Sequence, residues 1–140
     1  MKPLLILMSH GNLASALVES AKMILGSVDD CSVIEILQDY TFDSVENKLN
    51  DILENTNNDV LIFTDLYGGT PFNIASKFCR QNDKIHLITG MNLDMVIEYF
   101  SSNISDNCDK LIEDIINVSR DSIILYSKND DNEYPDVEIK

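Results

Sequence analysis

Tryptophan is absent from this chain, and glycine, proline and cysteine are scarce at five, three and three residues. So little Gly and Pro excludes collagen-like and low-complexity architectures. Cys31, Cys79 and Cys108 are odd in number, far apart and without a Cys-x-x-Cys pair. This argues against a disulfide framework or a zinc site, and it points to a reducing, cytoplasmic setting. Basic residues are the other shortage: 10 Lys and Arg stand against 24 Asp and Glu, for a formal net charge of -14. Nucleic acid and anionic membrane are therefore poor partners, since both need basic patches to meet their phosphates. A protein with a basic docking face is a compatible partner. No apolar run reaches the ~20 residues of a membrane span, so no direct membrane insertion is expected. Lys2 and the apolar run Leu4–Met8 mimic the start of a signal peptide. That run is short, Ser9-His10-Gly11-Asn12 interrupts it, and no small-residue cleavage site follows.

What remains is ordinary for one soluble globular domain. The chain has 140 residues, 44% hydrophobic and 24% charged, which is enough to bury a sizeable core. It carries no internal repeat or long linker. Residues 1–127 read as one domain and 128–140 as a loose acidic tail, in which Val137-Glu138-Ile139 could pair weakly.

Leu4–Met8 is a strand-length apolar run, the pattern of a strand covered on both faces. From Asn12 the period changes: Leu13, Ala14, Leu17, Val18, Ala21, Ile24 and Leu25 form one helical stripe, closed by Gly26. Ser32–Leu37 reads as a second strand. A helix then opens near Thr41-Phe42-Asp43-Ser44, which can cap it, and buries Val45, Leu49, Ile52 and Leu53. Val60–Thr64 is a third, strongly apolar and hence central strand. A helix over Pro71–Gln81 follows, with Pro in the first turn where its missing N–H costs nothing. Lys84–Thr89 is a fourth strand, and helices carrying Met95, Val96, Tyr99 and then Leu111, Ile115 come after it. Ser122–Tyr126 is a fifth strand by composition. Strands alternating with helices predict an α/β fold: a doubly wound, mostly parallel sheet of order 2-1-3-4 with helices on both faces.

Two strand-to-helix junctions stand out, Ser9-His10-Gly11 and Asp65-Leu66-Tyr67-Gly68-Gly69-Thr70-Pro71-Phe72-Asn73. In open α/β sheets ligands bind beyond the carboxyl ends of the strands where strand order reverses. With order 2-1-3-4 that reversal falls between the first and third strands, so His10 and Asp65 become neighbours. A carboxylate on one imidazole nitrogen holds the proton there and exposes the lone pair of the other. Such a histidine is a nucleophile toward phosphorus. The helix starts after Gly11 and at Pro71 supply N–H groups and positive dipole ends for the oxygens. Gly68 and Gly69 permit close backbone approach, and Thr70 adds a hydroxyl. Each feature alone has an ordinary structural reading; matched junctions favour the functional one. His86, inside a strand without such a turn, reads as structural or surface.

At these residues the chain closely resembles the mannose-family IIA component of the bacterial sugar phosphotransferase system, over Lys2 to about Tyr126. The resemblance implies that His10 accepts a phosphoryl group from phospho-HPr and passes it to a IIB component of a sugar transporter. It implies Asp65 as the orienting carboxylate, and Thr70 with its neighbouring backbone as the phosphoryl cradle. No cofactor or metal is expected. It also implies a homodimer in which a C-terminal strand, here Ser122–Tyr126, is exchanged and pairs at the sheet edge, in an antiparallel sense. Some members fuse IIA to IIB through an Ala/Pro-rich linker; this chain ends in Asn-Asp-Asp-Asn-Glu-Tyr-Pro and beyond instead, and looks like a stand-alone IIA protein.

Other classes fit less well. The dihydroxyacetone-kinase phosphocarrier also uses an N-terminal histidine, but its second motif differs from Gly-Gly-Thr-Pro-Phe-Asn. A phosphorylation-controlled protein-docking module is a second alternative, although nothing DNA-binding is present. A receiver-like domain using Asp65 as acceptor needs an acidic cluster for Mg²⁺ that the other strand ends lack. Gly68-Gly69-Thr70 lacks the Gly-Lys-Ser/Thr ending of a phosphate-binding P-loop. Ser9 and His10, adjacent on one strand, point oppositely and cannot form a nucleophile–base pair.

Overall fold

The computed structural model describes residues 2–103 and 107–129. Among them lie β1 (Leu4–His10), α1 (Leu13–Leu25), β2 (Ser32–Ile36), α2 (Phe42–Glu54) and β3 (Val60–Thr64). They are followed by α3 (Thr70–Gln81), β4 (Ile85–Thr89), α4 (Leu93–Ser101) and α5 (Cys108–Asp121). The sheet order is β2-β1-β3-β4 and every pairing is parallel, as the alternating pattern predicted. The strand and helix bounds differ from the sequence-based ones by a residue or two: β1 runs on from Met8 to His10, β2 stops at Ile36, α3 starts at Thr70, and β4 starts at Ile85.

The central strands are apolar on both sides because helices cover both sides. Leu5, Leu7, Leu61 and Phe63 face α1, α4 and α5, packing with Ala14, Val18, Met95, Val96, Leu111 and Ile115. Ile6, Met8, Val60 and Ile62 face α2 and α3, packing with Val45, Leu49, Ile74 and Ala75. All five residues of β3 are buried, the mark of a strand with a neighbour on each edge and a helix layer on each face.

Local chemistry sets the helix ends. Thr41 Oγ1 accepts the Ser44 N–H at 3.1 Å while Ser44 Oγ accepts the Thr41 N–H at 3.3 Å, a reciprocal cap for α2. Asn92 and Asn107 cap α4 and α5 through their side-chain oxygens. Gly26 ends α1 at φ +86°, a conformation that suits glycine, and its N–H reaches Lys22 O at 2.8 Å.

The C-terminal strand expected to exchange in a dimer is not formed in the single chain. Ser122 caps α5 and Ile123–Tyr126 form no strand; these four residues are 87, 78, 92 and 67% exposed. A strand exists only against a partner edge, and β4 pairs only with β3, leaving its outer edge without a strand neighbour among the described residues. The tail segment Val137-Glu138-Ile139 lies outside the described residues.

Phe63 is the largest of the fully buried side chains and sits at the middle of the α1/α4/α5 layer. Phe63→Ala is expected to cost about 3–5 kcal/mol of unfolding free energy, through lost burial plus a cavity. Urea unfolding followed by circular dichroism measures it. A loss under ~1 kcal/mol would show that this layer is not the core.

Candidate functional site

The parallel register of β1 with β3 pairs Met8 with Thr64, so the residues two and one positions further on, His10 and Asp65, emerge at the same end of the sheet. There Asp65 Oδ2 accepts two hydrogen bonds from one residue, the His10 backbone N–H at 2.8 Å and the ring Nδ1 at 2.7 Å. Asp65 Oδ1 accepts the Leu66 N–H at 2.9 Å. The His10 side chain is half exposed and that of Asp65 is only 8% exposed. The nucleophile candidate therefore faces outward and its orienting group is sheltered.

The protonation states follow from this geometry. Burial by itself raises the Asp65 carboxyl, but the hydrogen bonds from the His10 backbone, the His10 ring and Leu66 outweigh it, and the net shift is downward. A carboxylate only accepts, so the ring proton of His10 stays on Nδ1 and Nε2 presents its lone pair.

The surrounding turn is shaped for close approach. Gly68 has φ +84°, and Asn73 Nδ2 donates to its carbonyl at 3.2 Å, tying the loop to α3. A side chain at Gly69 would bring its Cβ to 3.0 Å from His10 Cε1 and 3.3 Å from Leu66 Cδ1. The imidazole thus rests directly on the residue that precedes α3. No side chain caps α3: its N-cap is Gly69, and Pro71 stands in its first turn. The first-turn N–H groups of a helix have no intrahelical partner, so this end is open to an anion. Thr70, the first residue of α3, adds its hydroxyl there.

The other helix start behaves differently from expectation. Gly11 adopts φ +56°, but its N–H is spent on Ile36 O at 2.9 Å. In α1 the Ala14 N–H goes to Ser9 Oγ at 2.9 Å and the Ser15 N–H to Glu35 Oε2 at 3.3 Å. Local groups thus take up three of the donors expected to be open here, those of Gly11, Ala14 and Ser15. Gly11 makes the turn; the α1 start keeps fewer open donors than that of α3, whose N-cap is a glycine. Ser9 is fully buried in this capping role and makes no bond to His10, so a serine triad is absent. Both oxygens of Asp65 are already engaged, so it is badly placed to accept a group itself. Lys77 pairs with Glu46 at 3.2 Å and Arg80 lies in the last turn of α3, away from the histidine.

An apolar rim borders the histidine. Leu66 and Tyr67 follow Asp65 and are 53 and 78% exposed; Leu37, 59% exposed, follows Ile36, the register partner of His10. Tyr67 leans on Phe72 at 4.5 Å between ring centroids. Sequence periodicity could not find this rim, because loop residues carry no period. Its only signal was the occurrence of Leu and Tyr where polar loop residues are usual.

The site is thus a parallel doubly wound domain's outward histidine, held by a carboxylate beside a helix start that can receive an anion. The family described as "EIIA-man: PTS system fructose IIA component" matches residues 4–116, and the chain belongs to it. The fructose-specific EIIA component of Bacillus subtilis (strain 168) is 28% identical over 98 residues, 69% of this chain and 67% of that protein. The mannose-specific EIIAB component of Escherichia coli (strain K12) is 26% identical over 122 residues; the match takes in 85% of this chain and only 38% of the longer relative. The solved mannose/sorbose-specific IIA subunit from Enterococcus faecalis superposes with a TM-score of 0.83 at 31% identity, covering 91% of this chain and 96% of that one.

Two outcomes test the site. Because the folded pKa of Asp65 is depressed, its contribution to stability is complete above the ordinary carboxylate pKa of about 3.9 and is lost as pH falls through the lower folded value. The Asp65 carboxylate's share of the stability gap between the native chain and Asp65→Asn therefore shrinks as pH falls below about 3.9. Denaturation at a series of pH values reads the gap, and one that widens below about pH 3.9 contradicts the assignment. Gly69→Ala is expected to displace the His10 ring, seen as shifted imidazole resonances, while the circular dichroism spectrum stays the same.

Proposed function

We propose that His10 is a phosphoryl carrier in sugar uptake: Nε2 takes the group from phospho-HPr and passes it to a IIB component. The observation that carries this is the double hydrogen bond from His10 to Asp65 Oδ2. In-line attack forms the bond from Nε2 to phosphorus as the bond from phosphorus to the donor's nitrogen breaks. The Nδ1 proton stays where it is, and Asp65 offsets the positive charge that develops on the ring. The reverse exchange with IIB restores the free lone pair.

Gly68, Gly69 and Thr70 supply the cradle for the phosphoryl oxygens, from an uncapped helix end rather than from basic side chains. Gly11 serves by turning the chain out of β1 and into α1. A cradle of backbone dipoles holds the group without the tight clamp of arginines, which suits a relay. The apolar rim of Leu37, Leu66 and Tyr67 supports docking by proteins, and the charge of -14 favours partners with a basic face. The likeness to fructose, mannose and sorbose IIA proteins supports the sugar-transport setting, and with it a cytoplasmic location. No described helix is long and apolar enough to cross a membrane.

The working unit is a homodimer. The outer edge of β4 and the exposed apolar segment Ile123–Leu125 each need a partner, and exchange of that segment between two copies gives one to both. The full chain is expected to sediment as a dimer and a chain cut after Asp121 as a monomer. A monomeric full chain overturns the exchange.

The chemistry is tested with phosphoenolpyruvate, enzyme I and HPr. One acid-labile, base-stable phosphohistidine is expected per chain, with none in His10→Ala. Asp65→Asn is expected to slow transfer by about 10²-fold or more, since the wrong ring tautomer then competes. Label retained in His10→Ala, or found on Asp65, refutes the relay.

A further inference from the structure

At the opposite end of the sheet, on the order of 20 Å from His10 at ~3.3 Å per strand residue, three metal-ligating side chains converge. Asp59 immediately precedes β3. His86 is the second residue of β4, paired in register with Leu61, and Cys108 opens α5. Residues two apart on a strand share a face, so Asp59 lies on the same face as Leu61 and Phe63, and His86 on the same face as Ile88. That is the face against which Leu111 and Ile115 of α5 pack, and Cys108 stands one turn before Leu111 on the same stripe. The apolar contact between α5 and the sheet therefore ends in a carboxylate, an imidazole and a thiol.

One ligand atom from each residue lies within 4.8 Å of the other two, and all three residues are half-buried. Among the described residues no hydrogen bond or ion pair engages their side chains. Metal–ligand lengths of about 2.0–2.3 Å put the donors of a tetrahedral zinc site about 3.5 Å apart. Small side-chain torsions close that difference.

We propose that Asp59, His86 and Cys108 form a binding site for a borderline divalent cation of the zinc class. The donor set decides the class: thiolate with imidazole selects against Mg²⁺ and Ca²⁺, which take oxygen ligands. An unliganded cysteine carries its proton at neutral pH, its ordinary pKa being about 8.5. Binding breaks the S–H bond, forms the metal–sulfur bond and releases one proton to solvent. One thiolate and one carboxylate then neutralise the dication, while the imidazole adds no charge. Three protein ligands leave a fourth position for water. The bound ion fastens the start of α5 to the end of the sheet where β3 and β4 begin, and it takes no part in transfer at His10.

Cobalt(II) added to the full-length chain is the direct probe, because thiolate ligation produces a sulfur-to-cobalt charge-transfer band. One cobalt per chain with that band is expected, displaced by one equivalent of zinc. Cys108→Ser is expected to abolish the band, and His86→Ala and Asp59→Asn to weaken zinc binding by about tenfold or more. Cys31→Ser and Cys79→Ser should leave both readings unchanged. Zinc should raise the melting temperature of the native chain and leave that of Cys108→Ser unmoved. A cobalt spectrum without the thiolate band overturns the site. So does equal zinc affinity in the native chain and in all three ligand variants.

Discussion

The site rests on one carboxylate oxygen. Asp65 Oδ2 receives both the backbone N–H and the ring N–H of His10, which fixes the end of β1 and the tilt of the imidazole together. The double contact exists because β1 and β3 are adjacent and parallel and end at the same level. Were β1 and β3 separated by another strand, the two side chains would be about 10 Å apart, since neighbouring strands lie ~4.8 Å from each other. The sheet order and the chemistry of the histidine are thus one constraint.

The two helix starts next to this pair divide the work. At α1, Ser9 and Glu35 take the N–H groups of Ala14 and Ser15, which lie just inside the turn made by Gly11. At α3 the cap is a glycine with no side chain to offer, and His10 packs where a Cβ would stand. A larger residue at position 69 would supply bulk where the ring must lie. The α3 start, with its glycine cap packed against the His10 ring, is the more open of the two to an anion.

Most of the fold was legible from the chain. Leu4–Met8 and Val60–Thr64 read as strands because burial on two faces demands unbroken apolar runs, and the helices read as stripes because each buries one face. The pairing of His10 with Asp65 was legible in motif and in the rule that ligands gather where strand order reverses. The fate of Ser122–Tyr126 was not, because composition describes what a segment can pair with and not whether a partner edge is within reach. The closed donors of α1 were hidden as well: Glu35 reaches Ser15 only because β2 lies beside β1, a relation between distant parts of the chain.

The boundary between the two kinds of information is the range over which residues act. Periodicity, capping residues such as Thr41 and Ser44, and the need for glycine at Gly26 and Gly68 all act within one turn, and the sequence alone determined them. The tertiary structure decided which open groups stay open. Gly11 lost its donor to Ile36, and α3 kept its own free. Asp59, His86 and Cys108 are far apart in sequence, where His86 reads as structural and the cysteine spacing speaks against a zinc site; the register of β3 with β4 and the packing of α5 bring them to one corner. Hydrogen-bond satisfaction and ligand convergence depend on distances of a few ångströms between remote segments, and only the packed fold sets those.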